Sequence, residues 1–167
     1  MQVYTGEGKG KTTAALGLIL RACGHGLKVY LAQFAKGRPS GELDSLARFA
    51  DLVTVRQYGR EAFLVGPPSP QDARLARAGW KEVQEVAARA EHDLLILDEI
   101  GIALHYGLLD PAEVLALLAD KPASLELVLT GRKMPPEILE RADLVTEMRE
   151  VRHYHGRGVG ARKGIEY

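Results

Sequence analysis

The sequence predicts an α/β fold built on a mostly parallel central sheet of about six strands. Three observations point to it. Short apolar runs alternate with longer amphipathic stretches, helix-start signals follow those runs, and a glycine-rich turn joins the first run directly to the first helix. With 167 residues and neither a linker nor an internal repeat, the chain reads as a single domain, residues 1–167, large enough to bury a sizeable core.

The elements follow in order. Gln2 to Tyr4 reads as the first strand, and a helix runs from about Thr12 to Cys23. It ends at Gly24-His25-Gly26, where a glycine supplies a left-handed cap and His25 can face the negative end of the helix. Lys28 to Phe34 is the second strand and Val53 to Gln57 the third. Ala35 to Gly41 and Gly59 to Ser69 read as loops that each follow a strand, where α/β proteins place binding groups. Ser69 and Pro70 start a helix that runs to about Ala90, with Ser as the cap and Pro in the first turn. Leu94 to Leu97 is the fourth strand. Asp110, Pro111 and Glu113 form a capping box with a first-turn proline, and Pro122 stops that helix. Leu125 to Thr130 and Leu144 to Met148 complete the six strands, and His153 to Gly164, rich in glycine and positive charge, is a loop or tail.

Composition narrows the function classes. The chain is 46% hydrophobic and 26% charged, too apolar for disorder. Twenty-two basic residues balance 22 acidic ones, so no whole-molecule field draws nucleic acid or an anionic membrane, and neither is an expected partner. Cys23 is the only cysteine, which excludes an internal disulfide and any multi-cysteine metal site; on an apolar helix it reads as a buried, inert thiol. No signal peptide is visible and no apolar run approaches the ~20 residues of a membrane span, so the expected compartment is the cytoplasm. The absence of Asn and the Pro-Pro pairs fit a thermophile.

The main chemical signal is Gly6-Glu7-Gly8-Lys9-Gly10-Lys11-Thr12-Thr13, between the first strand and the first helix. Glycines let successive backbone N–H groups turn onto an anion, the helix N-terminus adds partial positive charge, Lys11 reaches phosphate oxygens and Thr12 can ligate Mg²⁺. The general phosphate-loop pattern starts with glycine at the position held here by Thr5, so the chain departs from it there. A plain glycine-rich turn would require neither the Gly-Lys-Thr ending nor the strand before it. The second signal is Leu94-Leu95-Ile96-Leu97-Asp98-Glu99, an apolar strand ending in two acids, where a nucleotide-bound Mg²⁺ finds a carboxylate in P-loop proteins. Spacing leaves open which acid touches the metal. Together the two signals specify a three-layer, P-loop NTPase-like form of the α/β fold. His153 and His155 could be read as a metal pair, but with no partnered Cys or nearby Asp they fit surface or nucleotide-contacting residues better.

In wording, order and spacing the chain resembles the P-loop type of ATP:cob(I)alamin (corrinoid) adenosyltransferases. The stretches that carry the likeness are Gly6 to Ala15, Gln33-Phe34-Ala35-Lys36-Gly37, Leu97-Asp98-Glu99, Thr130-Gly131-Arg132 and the ending Gly164-Ile165-Glu166-Tyr167. That family's loop has the same Gly-x-Gly-Lys-Gly-Lys-Thr-Thr form, so the departure at Thr5 is a family trait. The resemblance implies transfer of the 5′-deoxyadenosyl group of ATP to the cobalt of a reduced corrinoid, cobalamin or cobyrinic acid a,c-diamide, with release of triphosphate. Lys11, Thr12 and Glu99 would be catalytic, the loop residues 6 to 13 with Arg21 and Arg132 would hold the nucleotide, and Thr12, Asp98 and Glu99 would form the Mg²⁺ site, Asp98 either as a second ligand or just behind the ligands. From residue type alone, Arg21 reads as a solvated helix face and Arg132 as a strand-end surface residue. It further implies a nucleotide reversed in its loop, a bulky aromatic that strips the lower axial ligand of the corrinoid with Phe63 as the candidate, a flavodoxin-like reductant protein and a homodimer. Because the chain begins almost at the first strand, a covering N-terminal segment found in other members is expected to be missing. Two other classes stay open on the residues alone: a P-loop hydrolase or kinase attacking the γ-phosphate, with Glu99 positioning water, and a nucleotide-switched binding module without turnover.

Overall fold

The computed structural model describes residues 1–61 and 66–166. The chain alternates strand and helix as β1 (Gln2–Thr5), α1 (Lys11–Cys23), β2 (Val29–Phe34), α2 (Gly41–Leu46), β3 (Val53–Tyr58), α3 (Pro70–Arg89), β4 (Leu94–Asp98), α4 (Ile100–His105), α5 (Pro111–Asp120), β5 (Glu126–Thr130), α6 (Pro136–Leu139) and β6 (Leu144–Glu147). The six strands form one sheet in the order β3-β2-β4-β5-β1-β6, and every neighbouring pair is parallel. The expected sheet is therefore present, and parallel throughout. With all strands running one way, the carboxyl ends of β1, β2, β4 and β5 share one edge, the edge at which open α/β sheets bind ligands.

Alternation along the strands divides the core in two. Leu95 and Leu97 point to the face covered by Trp80, Val83 and Ala87 of α3 and by Ile100, Leu109 and Val114 from α4 through α5. Leu94 and Ile96 point to the other face, against Ala15, Ile19 and Ala22 of α1. By the same period-two rule Asp98, at the end of β4, lies on the α1 side. The sheet interior is mostly apolar on both faces, as buried parallel strands require, and Gln33, Asp98 and Thr130 at the carboxyl ends of β2, β4 and β5 are buried polar residues.

The helix ends have local causes. Ser69 accepts from the Asp72 N–H while the Asp72 carboxylate accepts from the Ser69 N–H, and Asp110 and Glu113 form the expected reciprocal box; each is followed by proline at the first turn. Arg60 clamps Asp72 with two hydrogen bonds of 2.7 and 3.0 Å, which with Ser69 holds that carboxyl down at about 2. At the end of α1 the left-handed residue is Gly26, not Gly24, which stays helical. The short helices α2, α4 and α6 sit where the sequence offered no long apolar periodicity, and α2 occupies the stretch after the first expected loop. Cys23 is half-buried against the α1-side core, less enclosed than expected, and burial raises its thiol.

Gly79 of α3 faces Tyr58, and a methyl group there would stand 2.2 Å from the ring. Gly79→Ala is expected to lower stability by about 1–3 kcal/mol through overpacking, measured as a shift of the urea midpoint at unchanged slope. An unaltered midpoint would mean that the α3–β3 contact is not tight.

Candidate active site

The loop between β1 and α1 is built by backbone constraints. Gly6 and Gly10 have φ of +95° and +121°. A side chain at Gly6 or Gly8 would lie 2.5 or 2.7 Å from the Met148 carbonyl oxygen, so only glycine lets this loop pass the end of β6. The contact is also a bond, because the Gly8 N–H donates to that oxygen at 2.7 Å and the Met148 N–H donates to Thr5 O at 2.8 Å. Thr5, where the general pattern has glycine, is the last residue of β1 and needs no unusual backbone. Its hydroxyl donates to Gly131 O at 3.0 Å and laces the loop to the segment after β5.

Within the loop the Lys11 ammonium donates to Gly6 O at 2.6 Å and Gly8 O at 2.7 Å. Burial lowers its proton affinity, an effect that Glu99 partly opposes. Glu7 pairs at the rim with Lys133 at 3.3 Å and Arg132 at 3.6 Å.

Asp98 is fully buried and its two oxygens collect four donors. Oδ1 accepts from the Thr130 hydroxyl at 2.6 Å and the Thr12 hydroxyl at 2.9 Å, while Oδ2 accepts from the Lys36 ammonium at 2.8 Å and the Gln33 amide at 3.2 Å. Register brings them together, since Gln33 pairs with Asp98 across β2 and β4, and the pairing of Leu97 with Leu129 sets Thr130 beside Asp98. Gln57 donates to the Gln33 carbonyl oxygen at 3.0 Å, which leaves the Gln33 amide N–H₂ for Asp98. Lys36 also donates to the Thr12 hydroxyl oxygen at 3.1 Å. Burial alone would lower the Lys36 ammonium, but Asp98 outweighs it and the net shift is upward.

The next residue, Glu99, takes a left-handed backbone with φ of +57°, held by its N–H donating to the Thr130 hydroxyl oxygen at 3.0 Å. Such a conformation in a non-glycine residue is strained by roughly 1–3 kcal/mol. It directs Glu99 into a cavity of about 550 Å³ shared with Gly8, Lys9, Gly10, Lys11, Thr12, Thr13, Lys36, Arg132 and His153. Burial pushes the Glu99 carboxyl above the usual range, and the neighbouring Asp98 adds to the shift. The carboxyl-terminal segment closes one side: Gly164, Ile165 and Glu166 line the cavity, and Lys9 is bound to Glu166 at 3.2 Å and to Ile165 O at 3.2 Å.

Most of the sequence-derived site is thus gathered in one place. Arg21 is the exception, because it sits exposed in the last turn of α1, at the opposite end of the helix from Lys11 and outside the cavity lining. Asp98, expected as a second ligand or behind the ligands, meets four protein donors and faces the cavity through Thr12 and Lys36. Phe63 lies outside the described residues. Lys36, Gln33 and Thr130 carry no role from the sequence alone; the signal they leave there is a polar residue at or just past the end of an otherwise apolar strand.

The chain matches along residues 1–167 the family model described as ATP:corrinoid adenosyltransferase BtuR/CobO/CobP. This chain belongs to the ATP:corrinoid adenosyltransferase family. It is 39% identical over 166 residues to the corrinoid adenosyltransferase of Pseudomonas aeruginosa, covering 99% of this chain and 82% of that one. Likewise it is 38% identical to the corrinoid adenosyltransferase of Escherichia coli K12, covering 99% of this chain and 84% of the relative, and 36% identical to that of a Sinorhizobium species.

The oxygen donors around the cavity would suit a hard divalent cation such as Mg²⁺. Thr12 and Glu99 offer hard oxygens beside the anion-binding loop, the ligand type and small protein ligand number that Mg²⁺ accepts alongside phosphates and water.

A carboxyl whose folded pKa is raised binds its proton more readily folded than unfolded. Ionised Glu99 therefore subtracts from the stability of the metal-free protein above its folded pKa, and the penalty disappears below the ordinary value of 4.5. Glu99→Gln is expected to raise the denaturation midpoint of metal-free protein at pH 7, with the advantage shrinking to nothing as the pH falls below 4.5. Equal midpoints at pH 7 would mean that Lys36, Lys11 and Arg132 fully offset the desolvation of this carboxylate.

Proposed function

We propose that this enzyme transfers the 5′-deoxyadenosyl group of ATP to the Co(I) of a reduced corrinoid, cobalamin or cobyrinic acid a,c-diamide, and releases triphosphate. One observation carries the proposal for these residues: Lys11, Thr12, Glu99 and Arg132 converge on one cavity at the carboxyl edge of the sheet, in a chain that matches the adenosyltransferase family from end to end.

In the reaction the cobalt electron pair forms the bond to C5′, the C5′–oxygen bond breaks, and triphosphate departs with the electron pair of the broken C5′–oxygen bond. Co(I) is already a strong nucleophile and needs no general base. The protein must align cobalt with C5′ and stabilise negative charge on the leaving group. Backbone N–H groups of the loop, other than that of Gly8, which Met148 O takes, and the N-terminus of α1 would bind that charge. Lys11, now satisfied by Gly6 O and Gly8 O, would turn to the phosphates, and Arg132 would approach them from the rim. Mg²⁺ would be held by Thr12 and Glu99, with Asp98 behind Thr12, and would supply further charge neutralisation on triphosphate. Phe63 remains the proposed corrinoid contact. Arg21, at the far end of α1, has no part in this cavity and is left out of the reaction.

The enzyme is further taken to act as a single domain and a homodimer in the cytoplasm, with a flavodoxin-like protein supplying the electron for Co(I). A single cysteine suits a reducing compartment, and among the described residues no helix is long and apolar enough to cross a membrane.

Anaerobic incubation with ATP, Mg²⁺ and chemically reduced cob(I)alamin should yield a light-sensitive cobalt–carbon product with stoichiometric triphosphate. Orthophosphate without that product would instead identify a γ-phosphate hydrolase. Lys11→Ala is expected to lower the turnover number by about a hundredfold or more, and undiminished turnover would overturn the phosphate-loop assignment.

A further inference from the structure

We propose that Lys36 is the resident cation of the metal-free site: its ammonium holds Asp98 and Thr12 in place until Mg²⁺ enters with nucleotide, and it then turns onto the triphosphate. The inference rests on the reading of Thr12 and Glu99 as the metal-holding groups.

Geometry carries it. The Lys36 ammonium stands 2.8 Å from Asp98 Oδ2 and 3.1 Å from Thr12 Oγ1, so one positive charge touches both the proposed metal-holding hydroxyl and the acid behind it. A metal on Thr12 Oγ1 would stand a few ångströms from an ammonium on the same oxygen, and like charges that close repel strongly where water is scarce. Without the ammonium, Asp98 would be a buried carboxylate with only neutral donors, a costly arrangement. The positive charge that touches Asp98 is thus the Lys36 ammonium.

The same residue borders the cavity. Its side chain keeps 30% of its exposure and lines the cavity that holds the phosphate loop. Its backbone, in contrast, is pinned. Ala35 has a φ of +53°, and a methyl group on Gly37 would stand 2.1 Å from Gly59 O, so the turn after β2 is pressed against the turn after β3. A fixed backbone with a long single-chain cation lets the ammonium swing between Asp98 and an incoming phosphate without rebuilding the loop.

The exchange separates two affinities that a purely structural residue would move together. Lys36→Gln keeps a donor for Asp98 but removes the charge, and Lys36→Arg keeps the charge. In Lys36→Gln, Mn²⁺ alone should bind at least tenfold more tightly than in wild type, read by electron paramagnetic resonance of the free ion, while ATP binding in saturating Mg²⁺ weakens. Lys36→Arg should bind Mn²⁺ alone as poorly as wild type. The melting midpoint gives a second readout, with Mn²⁺ alone raising it more in Lys36→Gln than in wild type. If wild type binds Mn²⁺ with ATP but Lys36→Gln binds Mn²⁺ alone no better than wild type, the exchange is overturned and the metal site stands. If wild type binds no Mn²⁺ even with ATP, the metal site and the exchange fall together.

Discussion

The site depends on one buried carboxylate. Asp98 ends the central strand β4 on the face that α1 covers, and its two oxygens tie together Thr12 from the phosphate loop, Thr130 from β5, Gln33 from β2 and Lys36 from the turn beyond it. Four separate segments are thereby held in one geometry. A buried acid is tolerated only when its oxygens are satisfied, so the same four bonds that make Asp98 acceptable also assemble the nucleotide end of the cavity. The left-handed turn at Glu99 belongs to this arrangement, because the Thr130 hydroxyl that donates to Asp98 accepts the Glu99 N–H.

Around this centre the phosphate loop is braced from two sides. Met148 receives Gly8 and donates to Thr5, and Thr5 reaches Gly131. Beyond β5, Gly101 and Gly131 pass so closely that a methyl group on Gly131 would meet the Gly101 nitrogen at 2.6 Å, which sets the start of α4 against the segment bearing Arg132. Both glycine contacts serve position, not flexibility: they let backbone approach backbone where the ligand edge of the sheet is most crowded.

Much of this was legible in the chain. The unbroken apolar run Leu94, Leu95, Ile96 and Leu97 reads as a strand buried on both faces, and Ser69-Pro70 and Asp110-Pro111 mark helix starts through chemistry local to a few residues. The Gly-Lys-Thr ending of the loop and the paired acids are equally local. The convergence on Asp98 was not, because it depends on register between strands far apart in sequence, Gln33 beside Asp98 and Thr130 one strand further. Arg21 shows the opposite error: a basic residue on the right helix lies at its wrong end for the cavity, since the helix carries it away from Lys11. The carboxyl-terminal segment reads from composition as a basic loop, yet it returns to the cavity through Glu166 and Lys9, a contact spanning nearly the whole chain.

The central claim is that Asp98 organises the nucleotide end of the site while the sheet stands without its charge. The direct test is the affinity of Asp98→Asn for ATP at fixed Mg²⁺, measured by titration calorimetry beside its far-ultraviolet circular dichroism. The account predicts a native spectrum with affinity reduced by about ten- to a hundredfold. A native spectrum with unchanged affinity would contradict it.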